Sequence, residues 1–182
     1  MKYFFGSLLI QLLSFSSFAQ SSPQPYTASD QGSSVAFTIK NLGFNTGGSF
    51  TGLQGTIVFD PQNTAGSGFD VSVDAASVNT DNNMRDNHLK EDSYFDVKNY
   101  PRIRFVSTSI GPADKSGHYT VTGKLTIKNT TKEISFPFVA TPMGSDYVFK
   151  GEFPLSRKDF GIGGSSTISN GLTVTLTILA KK

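Results

Sequence analysis

The sequence predicts an all-β protein built from antiparallel strands that are apolar on one face and polar on the other. Apolar and polar residues alternate through 35–39, 119–127 and 172–178. Successive side chains of a strand point to opposite faces, so this period is typical of strands with one buried face. No helix-rich half covers the apolar face, so the sheet must close on itself or pair with a second sheet. A closed sheet of this size is either a filled barrel or a pocket for one apolar molecule.

Eight strand candidates follow one another along the chain. Their bounds are 34–42, 50–60, 69–74, 103–110, 119–128, 133–141, 146–155 and 172–180. Turn-forming residues separate them, for example at 45–48, 60–63, 114–117 and 142–145. The short gaps predict antiparallel hairpins. Residues 21–32, which are polar and include two prolines, are interpreted as a leader into the first strand.

Residues 81–100 lose the two-residue period and predict a short helical insertion between the third and fourth strand candidates. Asp81 is a candidate helix cap, and Asp86 and Lys90 have the spacing of a solvent-facing ion pair. Pro101 ends the insertion before the next strand. Such an insertion can cap the open end of a barrel. Its apolar residues would then lie over the mouth: Leu89, Tyr94, Phe95 and Val97.

The N-terminus has the features of a secretory signal peptide. Lys2 supplies a positive start, residues 4–13 are mostly apolar, and small residues precede a cleavage site after Ala19. We therefore expect a signal peptide over residues 1–19 and one domain over residues 20–182. The expected localisation is periplasmic or secreted.

The amino-acid composition limits the classes of partner that this chain is expected to bind. The chain has no cysteine, so a protein exported to an oxidising compartment would rely on its core rather than on disulfides. The formal net charge is only +2, with no run of lysine or arginine. Nucleic acid is therefore not expected as a partner, and attraction to anionic membrane surfaces is poorly supported.

The sequence contains few groups of residues that could form a catalytic site. His88 lies two residues after Asp86 in the insertion, where it could act as a base or a metal ligand, or simply be a surface histidine. Zinc would need three or four ligands, and cysteine is absent. We predict no metal, no cofactor and no catalytic residue.

Three motifs resemble the YceI-like polyisoprenoid-binding family. The first runs through the insertion, as MRDNHLK at 84–90, YFDV at 94–97 and YPRIRF at 100–105. The others are GKLTIK at 123–128, followed by Thr131 and Lys132, and SRKDFGI at 156–162. The resemblance runs from about Tyr26 to the C-terminus. It implies an exported, lipocalin-like barrel of eight antiparallel strands, whose apolar interior holds an isoprenoid or another long amphiphilic chain.

The pattern and the resemblance together give a hypothesis for the site. We expect an apolar lining of Val35, Phe37, Ile39, Leu89, Phe95, Ile103, Phe105, Val121, Leu125, Phe136, Phe138, Phe149, Phe153, Phe160, Val174 and Leu176. The candidates for a polar handle at the mouth are Asp86, His88 and Arg157.

The expected function is lipid binding for transport, storage or sequestration, with a long-chain lipid as ligand. A membrane would be a transient donor or acceptor, and a homodimer is left open. Two alternatives remain at this stage. One is an enzyme that acts on a lipid-like substrate through Asp86 and His88, and the other is a filled structural or interaction barrel.

Overall fold

The computed structural model describes residues 24–164 and 167–182. These residues form ten strands and one short α-helix, α1 (Asn83–Leu89). The strands are β1 (Tyr26–Ser29), β2 (Ser34–Asn41), β3 (Phe44–Phe50), β4 (Gln54–Val58), β5 (Gly68–Asp74), β6 (Arg102–Pro112), β7 (His118–Ile127), β8 (Thr130–Met143), β9 (Asp146–Ser156) and β10 (Ile168–Lys181). Three 3-10 turns lie at Thr64–Gly66, Ala75–Ser77 and Arg157–Phe160.

The ten strands form a closed barrel of eight strand positions. Strands β1 and β2 both pair with β10, β1 near its C-terminal end and β2 along the rest, so together they make one interrupted strand. Strands β3 and β4 pair with β2 and β1 in turn and make a second interrupted strand. The other six strands are continuous, and all pairings are antiparallel. The predicted eight-stranded antiparallel barrel is therefore confirmed.

The two interruptions lie side by side and are tied together by Asp30. Its carboxylate accepts hydrogen bonds from the backbone N–H groups of Gly52 and Leu53, each at 2.8 Å. Gly52 has a φ of +69°, a conformation that suits glycine. Two predictions were therefore wrong here: residues 50–60 are not one strand, and part of the supposed leader forms β1. A four-residue strand is too short for alternation to reveal.

The first hairpin turns at Leu42 and Gly43 rather than at 45–48. Both central residues have positive φ, 51° and 85°, which is the type I′ geometry of a two-residue hairpin. The glycines of the predicted turn lie inside β3 instead. A Cβ on Gly48 would come within 2.3 Å of the Phe37 ring, so any larger residue there would displace that ring.

One end of the barrel is filled by aromatic rings, and we call it the closed end. It lies where β1 pairs with both β4 and β10. Phe59 is only 2% exposed, and its ring centroid lies 5.1 Å from that of Tyr119, 5.3 Å from Tyr147 and 5.2 Å from Phe149. Edge-to-face pairs of this kind add to the hydrophobic gain of burial. A plug of aromatic side chains therefore seals this end.

The opposite end, the open end, carries the helical insertion between β5 and β6, where the sequence placed it. Helix α1 is capped by Asn82, whose side chain accepts a hydrogen bond from the N–H of Arg85 at 3.0 Å. The predicted cap, Asp81, precedes it with a φ of +58°. The predicted solvent-facing pair is also wrong, because Asp86 is buried. Across 24–164 and 167–182, no helix has the length and apolar character needed to span a bilayer.

Candidate functional site

An apolar cavity of about 260 Å³ lies inside the barrel, between the aromatic plug and the insertion. Its wall is formed by inward-facing side chains of the strands, as the two-residue period requires. Almost all of the exposed wall is apolar. The barrel is thus plugged at one end only.

The cavity borders all of the predicted apolar lining residues except two. Val121 is fully buried in the core beside its cross-strand neighbour Phe136. Phe160 is 2% exposed and packs in a second cluster with Ile127 and Ile162. Both residues are buried, but neither borders the cavity.

Part of the cavity wall, on β5, was not predicted from the sequence. Phe69, Val71 and Val73 border the cavity and alternate with polar residues. Their two-residue spacing was the signal that could have identified them. Ile134 was missed in the same way, although it precedes Phe136 by two residues on β8.

The insertion covers the cavity at the open end, as predicted. Of the four residues predicted over the mouth, Leu89, Tyr94 and Phe95 border the cavity, whereas Val97 does not. The Phe95 ring meets the edge of the Phe50 ring at a centroid distance of 5.4 Å. A backbone hydrogen bond from Gly163 N to Ser93 O, at 2.8 Å, joins the insertion to the segment that follows β9. The cover therefore consists of two segments, the insertion and residues 157–164, which support each other.

Arg157 borders the cavity but is only 6% exposed. Its guanidinium donates to the carbonyl oxygens of Ile162 at 2.8 Å, Ser169 at 3.0 Å and Ile168 at 3.2 Å. These bonds fasten the segment after β9 to the start of β10. Arg157, which was predicted to bind the head group, therefore stabilises the backbone of the cover instead.

Neither of the other two predicted handles borders the cavity. Asp86 is buried and accepts hydrogen bonds from the backbone N–H of Thr80, at 2.9 Å, and from its hydroxyl. The His88 side chain is 58% exposed, with Nε2 3.7 Å from a carboxylate oxygen of Glu91 and its ring against that of Tyr94. The two residues thus have different partners. The geometry does not assemble them into an acid–base pair.

A polar groove adjoins the cavity at the open end, between β3 and the insertion. It is lined by Asn45, Thr46, Gly47, Gly48, Ser49, Asn79, Thr80, Asp81 and Arg85. Thr46, Thr80 and Arg85 border both the groove and the apolar cavity. Reciprocal backbone hydrogen bonds between Ser49 and Asn79, at 2.9 and 3.0 Å, span the groove at its inner end.

Arg85 is held in place at this junction. Its Nε donates to the Thr80 hydroxyl at 2.7 Å, and Nη2 donates to the Thr80 carbonyl at 2.6 Å. Asp86 accepts hydrogen bonds from the N–H and the hydroxyl of the same Thr80, so it positions Arg85 through Thr80. Ion pairs within the described ranges join only His88 to Glu91 and Arg104 to Asp70, so Arg85 has no carboxylate partner there. The motif at 84–90 contains Arg85, but the sequence pattern pointed to its neighbours Asp86 and His88 as the polar handle.

No metal centre is evident in the part of the chain that the structure describes. There, no group of three or more histidine, cysteine, aspartate or glutamate side chains gathers as a metal site would require. The site is therefore defined by an apolar cavity, a two-part cover and a polar groove.

The fold and the site define a class of protein: a closed eight-stranded barrel with an apolar cavity covered at one end. The chain belongs to the YceI-like family, because its residues 26–180 match the YceI-like domain. It is 36% identical over 102 residues to a UPF0312 protein of Photorhabdus laumondii, a match that spans 55% of this chain and 52%, about half, of that relative.

Two examples illustrate the solved structures that share the fold. The crystal structure of Burkholderia cenocepacia BcnA superposes with a TM-score of 0.78 at 28% identity, over 82% of this chain and 96% of BcnA. A polyisoprenoid binding domain from Saccharophagus degradans has a TM-score of 0.68 over 86% of this chain and 97% of that domain. Its sequence identity is 14%, so this likeness concerns the fold alone.

Proposed function

We propose that this protein binds a long-chain lipid, an isoprenoid or a comparable amphiphile, with its tail in the barrel cavity. The observation that carries the proposal is the apolar cavity itself, which is plugged at the closed end and meets a polar groove at the other. Membership of the YceI-like family supports it, as does the fold shared with a domain described as polyisoprenoid binding.

Burial of the tail supplies enough free energy for such a function. Each buried methylene contributes about 0.8 kcal/mol, so ten methylenes contribute about 8 kcal/mol before the entropy losses of binding. The plug around Phe59 would set the depth that the tail can reach. A binding protein of this kind needs no reactive side chain.

The head group is proposed to lie at the junction of cavity and groove, on Arg85 and Thr80. Arg85 presents a fixed guanidinium there without a carboxylate partner among the described residues. Asp86 and Arg157 would then act by positioning, Asp86 through Thr80 and Arg157 through the cover. His88 lies outside this junction, so any influence on the head would be indirect.

Binding rather than catalysis is proposed because Asp86 and His88 have separate partners. A turnover assay on long-chain esters and phosphates checks this directly. Product formation by the parent that is lost in His88→Ala would favour the enzyme alternative.

The proposal is tested by extracting the purified protein with organic solvent and identifying released lipids by mass spectrometry. We expect a long-chain lipid at a stoichiometry near one per barrel, absent from a mock purification. A protein that releases no lipid and takes up no long-chain fluorescent probe would contradict the proposal and favour the filled barrel.

Export is part of the proposal and rests on the sequence. The proposed signal peptide, residues 1–19, lies outside the described residues. Intact-mass measurement of the exported protein should give a chain that begins at Gln20. A membrane-bound chain that keeps Met1 would contradict it. Sedimentation of the same sample would distinguish a monomer from the homodimer left open above.

A further inference from the structure

We propose that three exposed apolar side chains at the open end touch the surface of a lipid bilayer while the ligand is exchanged. They are Leu42, Phe44 and Met84, which we call the rim patch. Their exposed fractions are 69%, 78% and 84%. The purpose of this contact rests on the lipid-binding function proposed above, but the contact itself can be measured separately.

The stability of the fold does not explain why residue 42 is a leucine. It is the first central residue of the type I′ turn and has a φ of 51°. This left-handed conformation favours asparagine, aspartate or glycine and is costly for a bulky side chain. Because Leu42 is also largely exposed, neither backbone preference nor burial accounts for a leucine there. A contact outside the chain does.

Phe44 continues the inner face of the barrel beyond its rim. On β3, Phe44, Thr46 and Phe50 point to the same side, and both Thr46 and Phe50 border the cavity. Phe44 pairs across the hairpin with Asn41, which also borders the cavity. The exposed Phe44 ring therefore extends the apolar surface from the cavity to the solvent-facing edge of the barrel.

Met84 lies on the other side of the same opening. It is the neighbour of Arg85, which borders both the cavity and the polar groove, whereas Asn45 and Thr46 of the hairpin form the opposite wall of that groove. The rim patch therefore flanks the place where the proposed ligand would enter and leave.

A bilayer suits this patch better than a protein partner. Three side chains on a narrow turn and a helix start offer far less than the roughly 1,200 Å² that a stable protein interface buries. A bilayer interface accepts a few protruding apolar groups without shape complementarity. Residues 31–59 contain no aspartate or glutamate, so no carboxylate of this segment would be desolvated on contact. The near-balanced charge of the chain points to apolar insertion rather than to electrostatic attraction.

The experiment measures co-flotation with phosphatidylcholine vesicles, using protein whose N-terminus is defined by intact mass and is the same in every variant. The test variant is Leu42→Asn combined with Phe44→Thr. Asparagine suits the left-handed turn, and threonine suits a strand, so the melting temperature should not fall. The matched control is Met143→Ser, since Met143 is 49% exposed at the hairpin of β8 and β9, at the closed end.

We expect the double variant to lose at least fivefold in vesicle binding and the control to keep it. Affinity for a soluble long-chain fluorescent probe should be the same in all three proteins. The rate of probe transfer to vesicles should rise with vesicle concentration for the parent and the control, and much less for the double variant.

Three results would overturn the rim patch: no vesicle binding by the parent, equal losses in the double variant and in Met143→Ser, or parent self-association that the double variant abolishes. The last would identify a second copy of the chain as the partner. If the proposed lipid-binding function is wrong, the result is different. None of the three proteins then takes up the probe, but vesicle flotation still shows whether the rim patch binds a bilayer.

Discussion

The two ends of the barrel are built from the same strands but are completed in different ways. At the closed end, β1 hydrogen-bonds to both β4 and β10, and the Phe59 ring fills the interior together with four other aromatic rings. At the open end, β3 forms one backbone bridge, from Ser49 to Asn79 just before the insertion, and the Phe50 ring of β3 contacts the Phe95 ring of the insertion. Side chains there surround a cavity instead of filling it.

This difference separates the parts of the molecule that hold the fold from those that hold a ligand. Ring-on-ring packing and a closed hydrogen-bond ladder stabilise one end. The other end has fewer strand pairings and a cover of short segments, which are the features of regions that open at low cost. We expect substitutions at the closed end to lower the free energy of unfolding and those at the open end to change ligand exchange.

The largest expected effect is that of Phe59→Ala. Removing a fully packed phenyl ring costs about 3–5 kcal/mol, because the surrounding rings cannot collapse into the space. Chemical denaturation should show this loss as a lower midpoint. If Phe59→Ala unfolds no more easily than Phe95→Ala, the closed end is not the stabilising part of the barrel.

Leu89→Ala and Phe95→Ala test the cover. Both residues are partly exposed and border the cavity, so truncation should cost less stability than Phe59→Ala. Dissociation of a long-chain probe should become several-fold faster, since affinity differences between related complexes lie mostly in the off-rate. Unchanged release with a large loss of stability would show that the insertion belongs to the core.

Arg85→Gln should act on the head group alone. Hydrogen bonds to charged groups contribute about 1.5–3 kcal/mol, so affinity for a long-chain acid should fall about tenfold or more. Affinity for the alkane with a matched tail should stay the same. The same titrations of His88→Ala, whose side chain lies away from the junction, provide the control and should show little change. Equal losses for both ligands in Arg85→Gln would mean that Arg85 supports the fold.

The strand pattern predicted the barrel and part of the cavity wall, because inward-facing residues recur every second position in long strands. It failed where local geometry is irregular. Strand β1 is too short to show alternation, and the break at Gly52 depends on Asp30, which is more than twenty residues away in sequence. Within the insertion, the motif identified the segment but not its contacts. Whether Asp86 or Arg85 faces the groove depends on how α1 packs, which spacing alone does not give.

The smallest expected effect is at the exposed pair of Asp70 and Arg104, on the outside of β5 and β6. Hydrogen bonding from Arg104 lowers the pKa of the Asp70 carboxyl below its ordinary value of 3.8. A lowered pKa stabilises the fold at pH values above the ordinary one, and this gain disappears as the pH falls toward the folded value. Asp70→Asn should therefore slightly lower stability at pH 7 and flatten its decline below pH 4, as thermal melts over this range would show.

Titration of a long-chain probe into two neighbouring variants tests whether the barrel cavity holds the lipid tail. The side chain of Val174 borders the cavity, whereas Thr175, the next residue on β10, is exposed. If the cavity holds the lipid tail, Val174→Trp fills it and should abolish or greatly weaken binding, while Thr175→Trp should bind one probe per barrel as the parent does. Equal binding by both folded variants would contradict the account, because the tail would then lie outside the barrel.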